Sequence, residues 1–387
     1  MVDPTAETQP TQTSKLIPSL KVVGLGGGGS NAVNRMIELG MGGVEFIVAN
    51  TDQQALEASL AKTRIQLGPK LTRGMGAGGN PQVGFRAAQE SREALADAIR
   101  GADMLFLTAG MGGGSGTGAA SVVAEIARGL DIVTIAVVTM PFSFEMGQRQ
   151  ANATEGLAQL RPHTDTLIAI PNDRLLQIAP ADLPIETAFR LADDVLRQAV
   201  QGITELVTQP GLINVDFAHI RTMMKKGGGS LMAIGHGRGE TKALDAIEQA
   251  LHHPLLDEIS LNNVSGVVAN FSGGDDLSLF EIGDAVSELH NMAGHDIDLV
   301  LGISSDSRMA NRAQVILVMT GIGAQRLEEV MGIGAASVAA GRMRAGSPAP
   351  RESVPVFAGA RGGQTVDIDD LDLPAFMRRR SQLNGRG

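Results

Sequence analysis

The chain has 387 residues, a formal net charge of −10, and no cysteine, tryptophan or tyrosine. That length supports two or three domains with real apolar cores, while the acidic balance argues against a nucleic-acid partner, because phosphate neutralisation needs a basic surface. The missing thiols exclude disulfides, thiolate catalysis and cysteine-ligated metals.

In chain order, residues 1–16 are polar and rich in Pro and Thr, the composition of a disordered arm. They lack the basic start and apolar core of a signal peptide, and no apolar run approaches the roughly 20 residues of a membrane span. The expectation is a cytoplasmic protein without direct membrane insertion. From Leu20 onward, short apolar runs alternate with amphipathic stretches. LKVVGLG, VEFIVAN, ADMLFLTAG, DIVTIAVVTMP and TLIAIPN read as strands apolar on both faces, with NAVNRMIELG and GAASVVAEIARG as helices between them. This alternation predicts an α/β fold, with a doubly wound parallel sheet over residues 17–183.

One long helix follows over 184–208, where Ile185, Ala188, Ala192, Val195, Leu196, Ala199, Val200 and Ile203 recur at the helical period. Pro184 suits its first turn, and Pro210 with Gly211 end it. Over 209–322, SLMAIG, VSGVVANF, DIDLVLGIS and AQVILVMTG read as strands, with TKALDAIEQAL and LFEIGDAVSELHNM as helices. They predict a smaller α/β domain with a four-stranded sheet. Residues 323–366 have linker composition. Residues 367–387 carry DLDLPAFMRRR, whose Leu371, Leu373, Pro374, Phe376 and Met377 lie between acidic and basic flanks. That pattern suits docking into a partner's groove.

Ligands of an open parallel sheet bind beyond the carboxyl ends of its strands. At those ends the sequence places GLGGGGSNA, ANTDQQ, GMGGGSGTG, TMPFSFEMGQR and PNDR. Gly24, Gly26 and Gly29 alone leave a dinucleotide site and a tight turn equally open. The second loop, with six glycines between Gly110 and Gly118, adds a helix N-terminus where successive amides converge on a phosphate. Ser115 and Thr117 add hydroxyls. A lysine-bearing Walker loop is absent, so amides and a metal ion must neutralise the phosphates. The adjacent His252 and His253 lack ligand spacing, and no side-chain metal site is expected.

Asp193 in RLADDV is an acceptor-only group. Guanine offers adjacent donors at N1 and N2 where adenine does not, so Asp193 with Asn172 would select guanine. The alternative for Asp193 is a solvated helix residue. Glu145 and Arg149 are either a solvated i, i+4 ion pair or the holders of ribose hydroxyls.

GGGGSNAV, ANTD, GGGSGTG, PFSFE, IPNDRLL, LADDVL and NVDFA, in this order, resemble the tubulin/FtsZ family of GTPases, in particular its bacterial cell-division branch. GGGSGTG is similar to that family's GGGTGTG signature. The resemblance implies GTP or GDP with Mg²⁺. It places Gly27, Gly28, Gly29, Ser30 and Asn31, with Gly114, Ser115 and Gly116, on the phosphates. Glu145 and Arg149 fall at the ribose, and Asn172 and Asp193 at the base. Further contacts are implied for Asn50, Ala77, Gly78, Gly112, Gly113, Thr117, Gly118 and Phe189. Asp216 is implied as catalytic. The resemblance also implies a division-site filament whose residues 367–380 bind membrane-anchoring and regulatory division proteins.

A helix over 184–207 is roughly 35 Å long. Asp193 lies in its first half and Asp216 beyond its far end, so one subunit does not bring both to one nucleotide. The contact is then head-to-tail with a second copy, and a head-to-tail contact that does not close makes an open filament. At NVDFAHI the family usually reads NxDFADV, so His219 stands where a second catalytic carboxylate is implied. An imidazole accepts a proton near neutral pH but carries no negative charge, which leaves a working base and a slow enzyme both open. A nucleotide-locked structural filament would share every binding residue without turnover. A nicotinamide-dependent oxidoreductase would use the first glycine loop and Asp52 but leave the second loop without a role.

Overall fold

A computed structural model describes residues 18–145, 147–177, 183–208, 216–225, 229–252, 264–293 and 297–322. The arm read at 1–16, the helix stop at Pro210 and Gly211, the linker at 323–366 and the docking peptide at 367–387 lie outside the described residues.

The first set of elements runs β1 (Leu20–Leu25), α1 (Gly26–Glu38), β2 (Glu45–Asn50), α2 (Gln53–Glu57), β3 (Thr63–Gln66), α3 (Pro69–Thr72), α4 (Pro81–Glu90) and α5 (Arg92–Ile99). It continues through β4 (Met104–Gly110), α6 (Ser115–Gly129), β5 (Val133–Met140), α7 (Gln148–Leu160), β6 (Thr166–Pro171) and α8 (Asn172–Leu176). All five expected strands form. β3 and α2 to α5 escape periodicity because they are short or only weakly patterned. Their caps are local: Asp52 accepts the N–H groups of Gln54 (2.9 Å) and Ala55 (3.3 Å), and Asn80 accepts that of Gln82 (2.9 Å) ahead of Pro81. Helix α1 begins at Gly26, five residues earlier than its apolar pattern predicts, so the first glycine loop is itself the helix start.

The second set comprises α9 (Ile185–Thr208), α10 (Phe217–Lys225), β7 (Gly229–Arg238), α11 (Lys242–Leu251), β8 (Gly266–Gly273), α12 (Leu279–Ala293), β9 (Asp298–Ser305) and β10 (Arg312–Ile322). The sheet order is β3-β2-β1-β4-β5-β6-β7-β10-β8-β9. The first six strands are parallel, with Val22 opposite Phe46 and Phe106. The four strands expected over 209–322 are antiparallel at β7–β10 and β10–β8 and parallel at β8–β9. They join the large sheet through two parallel residue pairs of β6 and β7, Leu167–Gly229 and Ile168–Ser230.

Helix α9 ties the two sets together. Its Leu196, Val200 and Ile203 share one buried cluster with Val22, Phe106 and Val137 of the large sheet and with Val300, Ile316 and Val318 of the small one. Each such side chain contributes about 1.5–3 kcal/mol on burial. Val23, Leu107 and Val138 pack on the opposite face against α4 and α6, and Phe271 centres a third cluster beneath α11 and α12.

The sheet has two chemically different ends. Strands β1, β2, β4, β5 and β6 all point their carboxyl ends one way. Helix α10 sits at the other end: the Met224 carbonyl accepts the hydroxyl of Thr166, the first residue of β6, at 3.0 Å. Arg221 and Lys225 each pair at 3.0 Å with Asp131, on the turn entering β5. Strands β8 and β9 run parallel to β6, so Asp298 also belongs to this amino end.

Candidate functional site

Between β1 and β4 the strand order reverses, which in an open parallel sheet opens a crevice at the carboxyl ends. A cleft of about 370 Å³ lies there, floored by the starts of α1 and α6 and walled by the loop after β5 and the first half of α9. Gly27, Gly28, Asn31, Gly113, Gly114, Ser115 and Gly116 line one part of it. Both helix N-termini aim at this part, a double source of free N–H groups and positive dipole. The bare backbone has a packing reason as well. Gly26 has φ +66°, and a Cβ there would lie 2.6 Å from the Gly116 nitrogen, so the two glycine loops touch each other. At Gly27 nothing lies within 4 Å of a would-be Cβ.

The opposite part of the cleft is lined by Asn172, Phe189 and Asp193. Asn172 is only 4% exposed, and its Oδ1 is buried without a partner, an acceptor with an unmet demand. Burial pushes the Asp193 carboxyl up to about 7; the Arg35 charge opposes this and Asp194 adds to it. Asp193 is half-buried and faces the cleft. Phe189 meets Phe142 edge-on at 5.3 Å, and Phe142 stacks on Phe144 at 4.9 Å. Between the two parts, Glu145 pairs with Arg149 and also accepts the Phe142 N–H at 2.9 Å. Glu145 is 10% exposed and Arg149 58%, so the pair leans out from a fixed carboxylate.

A second cleft, of about 410 Å³, lies between α9 and the ends of β8 and β9. Its charged groups are engaged locally: Arg197 pairs with Asp194 and Arg308 with Asp306, both at 2.8 Å. The glycine cleft differs in joining helix N-termini to a buried acceptor without a partner.

Comparison with known proteins bears on the same residues. Residues 19–180 match the model of the tubulin/FtsZ family GTPase domain, and 228–323 that of the FtsZ family C-terminal domain. An empty FtsZ dimer from M. jannaschii is 42% identical, over 80% of this chain and 89% of that one, with a TM-score of 0.76. The chain belongs to the tubulin/FtsZ family. A point mutant of the M. jannaschii FtsZ gives 43% identity over 79% and 91% of the two chains, with a TM-score of 0.76. The GTPγS-bound CetZ2 protofilament of Haloferax volcanii shares the fold, with a TM-score of 0.71 at 16% identity over 84% and 99%. Tubulin/FtsZ membership makes this a GTPase-family chain, and guanine nucleotide the family's ligand.

Within that tubulin/FtsZ frame, several residues expected at the nucleotide lie behind the cleft wall. A Cβ on Gly29 would sit 2.4 Å from the Thr108 carbonyl, and one on Gly118 2.1 Å from that of Pro81. Glycine there lets α1 press on β4 and α6 on α4. Ser30 donates to the Gly26 carbonyl at 2.7 Å, and Thr117 accepts the Gly112 N–H at 2.9 Å, so both hydroxyls brace the loops. Ser115 bonds Thr51, and Asn50 accepts the Asp52 N–H at 3.2 Å. Ala77 packs against Gly114, and Gly78 lies in the turn before α4. The cleft also takes Gly110, Met111, Thr139, Pro141 and Ala192; the first four sit in the loops GMGGGSGTG and TMPFSFEMGQR without being expected individually at the nucleotide. Thr139 and Pro141 were discoverable, since TMP ends β5 as the glycine loop ends β4.

Asp216 and His219 lie at the amino end, with α10. The Asp216 Oδ1 accepts the Ala218 N–H at 3.0 Å, capping the helix, and His219 Nε2 lies 3.3 Å from Asp298 Oδ1.

Proposed function

We propose that this chain binds GTP in the glycine cleft and hydrolyses it when a second copy docks head-to-tail, building the filaments of a bacterial division ring in the cytoplasm. The observation that carries the reading is the cleft itself. Converging amides suit phosphates at one part, and an unpartnered Asn172 oxygen with the Asp193 carboxylate suits a purine bearing donors at the other. Adenine would leave the half-buried carboxylate unsatisfied, which is the basis of discrimination. Asp52 caps α2 through two amides, so the acidic group a nicotinamide site requires is already engaged.

The head-to-tail contact follows from the two ends of the sheet. Thr166 beneath α10 and Asn172 in the cleft are separated by the length of β6, about 20 Å at 3.3 Å per residue. Asp216 and the cleft of one molecule are thus on opposite faces, and a repeated translation brings them together. The M. jannaschii FtsZ to which the chain is 42% identical is itself a dimer, which supports self-association. Among the described residues no group of three or more His, Asp or Glu side chains forms a cation site. Mg²⁺ accompanying the nucleotide would add positive charge to that of the cleft's amides. In this reading residues 17–183 bind nucleotide, 184–208 connect, 209–322 supply the catalytic end, and 367–380 recruit division partners.

Light scattering and phosphate release with GTP, GDP and ATP in parallel test the proposal. Scattering with GTP alone, accompanied by phosphate release, is the expected outcome. Scattering without release would leave a nucleotide-locked filament, and equal responses to ATP would remove the base contact.

A further inference from the structure

At the amino end of the sheet, α10 and β9 bring together two residues 79 positions apart: His219 Nε2 and Asp298 Oδ1, at 3.3 Å. Asp298 opens β9, where its backbone is held in register with Gly266 of β8. His219 lies in the first turn of α10, its N–H bonded to the Asp216 carbonyl at 3.0 Å. Both side chains open onto the end face, 51% and 32% exposed, so no core packing demands their pairing. A contact so exposed adds little stability. Its consequence is orientation. A carboxylate on one imidazole nitrogen holds the N–H there and leaves the other nitrogen a bare acceptor.

We propose that Asp298 is the positioning residue of this active site: it holds His219 by Nε2–H and presents Nδ1 as the base for the water that attacks the neighbour's GTP. The inference rests on the GTPase reading above. In the step, the water gives one proton to Nδ1 while its oxygen bonds the γ-phosphorus. The bond from that phosphorus to the bridging oxygen breaks, and its electron pair leaves on GDP. The imidazolium, balanced by the Asp298 charge, returns its proton to solvent. His219 supplies the acceptor and Asp298 the negative charge, two functions that a single carboxylate combines.

The test uses the full chain with GTP under polymerising conditions, reading phosphate release beside light scattering and GTP affinity. His219→Ala should slow release about 10²-fold, and Asp298→Asn about tenfold, with affinity and scattering unchanged. In the His219→Ala background Asp298→Asn should add nothing. The decisive background is His219→Asp, which sets two carboxylates against each other. There Asp298→Asn should reverse its sign and accelerate release. Asp298→Asn slowing release equally in all three backgrounds, or lowering scattering, would make Asp298 a structural residue and overturn the proposal. A wild-type rate indifferent to His219→Ala would overturn it too. A wild type that binds GTP and scatters light but releases no phosphate fails at the GTPase reading, before any variant is compared.

Discussion

The two ends of the sheet are built on different principles. The carboxyl end is glycine-lined and inward-looking: its loops pack so closely that a Cβ at Gly26, Gly29 or Gly118 would clash with neighbouring backbone, and they surround a cleft. The amino end is charged and outward-looking. Arg221, Lys225 and Asp131 clamp α10 in solvent, and Asp216 and His219 stand on an open face. A ligand that must be selected needs a rigid, desolvated site, whereas groups that act on a neighbour's ligand must remain accessible until the neighbour arrives. On the proposed reading, binding is complete within one chain and chemistry is not.

The largest effect should come from filling a packing glycine. Gly118→Val drives side-chain atoms into the Pro81 carbonyl and forces α4 off α6, at a cost of about 3 kcal/mol read from the urea midpoint. Gly27→Ala meets nothing and should stay within about 1 kcal/mol of wild type while weakening GTP binding. If both variants lose stability alike, the division into packing and binding glycines fails.

Next in size, Asp193→Ala should weaken GTP binding about 10²-fold and relax discrimination against ATP in competition titrations. Undiminished selectivity would remove Asp193 from the base.

The same carboxyl sets a pH dependence. Its ordinary value is 3.8, and burial raises it to about 7. On the proposed reading the guanine donors require the ionised form, so GTP affinity should fall as pH drops below about 7, approaching tenfold per unit. Stability of the nucleotide-free protein runs the other way. The folded state holds this proton more tightly than the unfolded state, so the contribution is complete below about pH 3.8 and is lost as pH rises through about 7. Asp193→Asn should therefore raise the nucleotide-free Tm at pH 8 while abolishing the pH dependence of binding. An unchanged Tm there would mean that the carboxyl is better solvated than its position implies.

The smallest effect belongs to the amino end, where Asp131→Ala should loosen α10 and slow turnover slightly, with the difference vanishing at high salt. Loss of GTP binding in this variant would break the separation of the two ends.

Much of this architecture was legible in the sequence. Strands buried on both faces announce themselves as apolar runs, and α9 by its strict period, because burial acts on every residue of those segments. What escaped was local or long-range. Helices α2 and α4 rest on the caps Asp52 and Asn80, which a periodicity search does not weigh. The residues at the cleft were found as loops, but which glycine faces the cavity and which faces Thr108 or Pro81 depends on packing between segments distant in the chain. The pairing of His219 with Asp298 was invisible for the same reason. His219 stood out by its place in NVDFAHI, whereas its partner is an ordinary acid at the start of a strand.

Complementation in trans addresses the division of labour most directly. Asp193→Ala subunits keep an intact amino end, and Asp216→Ala subunits keep an intact cleft. Each alone should release little phosphate from GTP. A site completed by the neighbour predicts that mixing them restores release well above the sum of the separate rates, since one impaired chain can dock on the other's bound nucleotide. A mixture that gives only that sum would contradict hydrolysis across the interface.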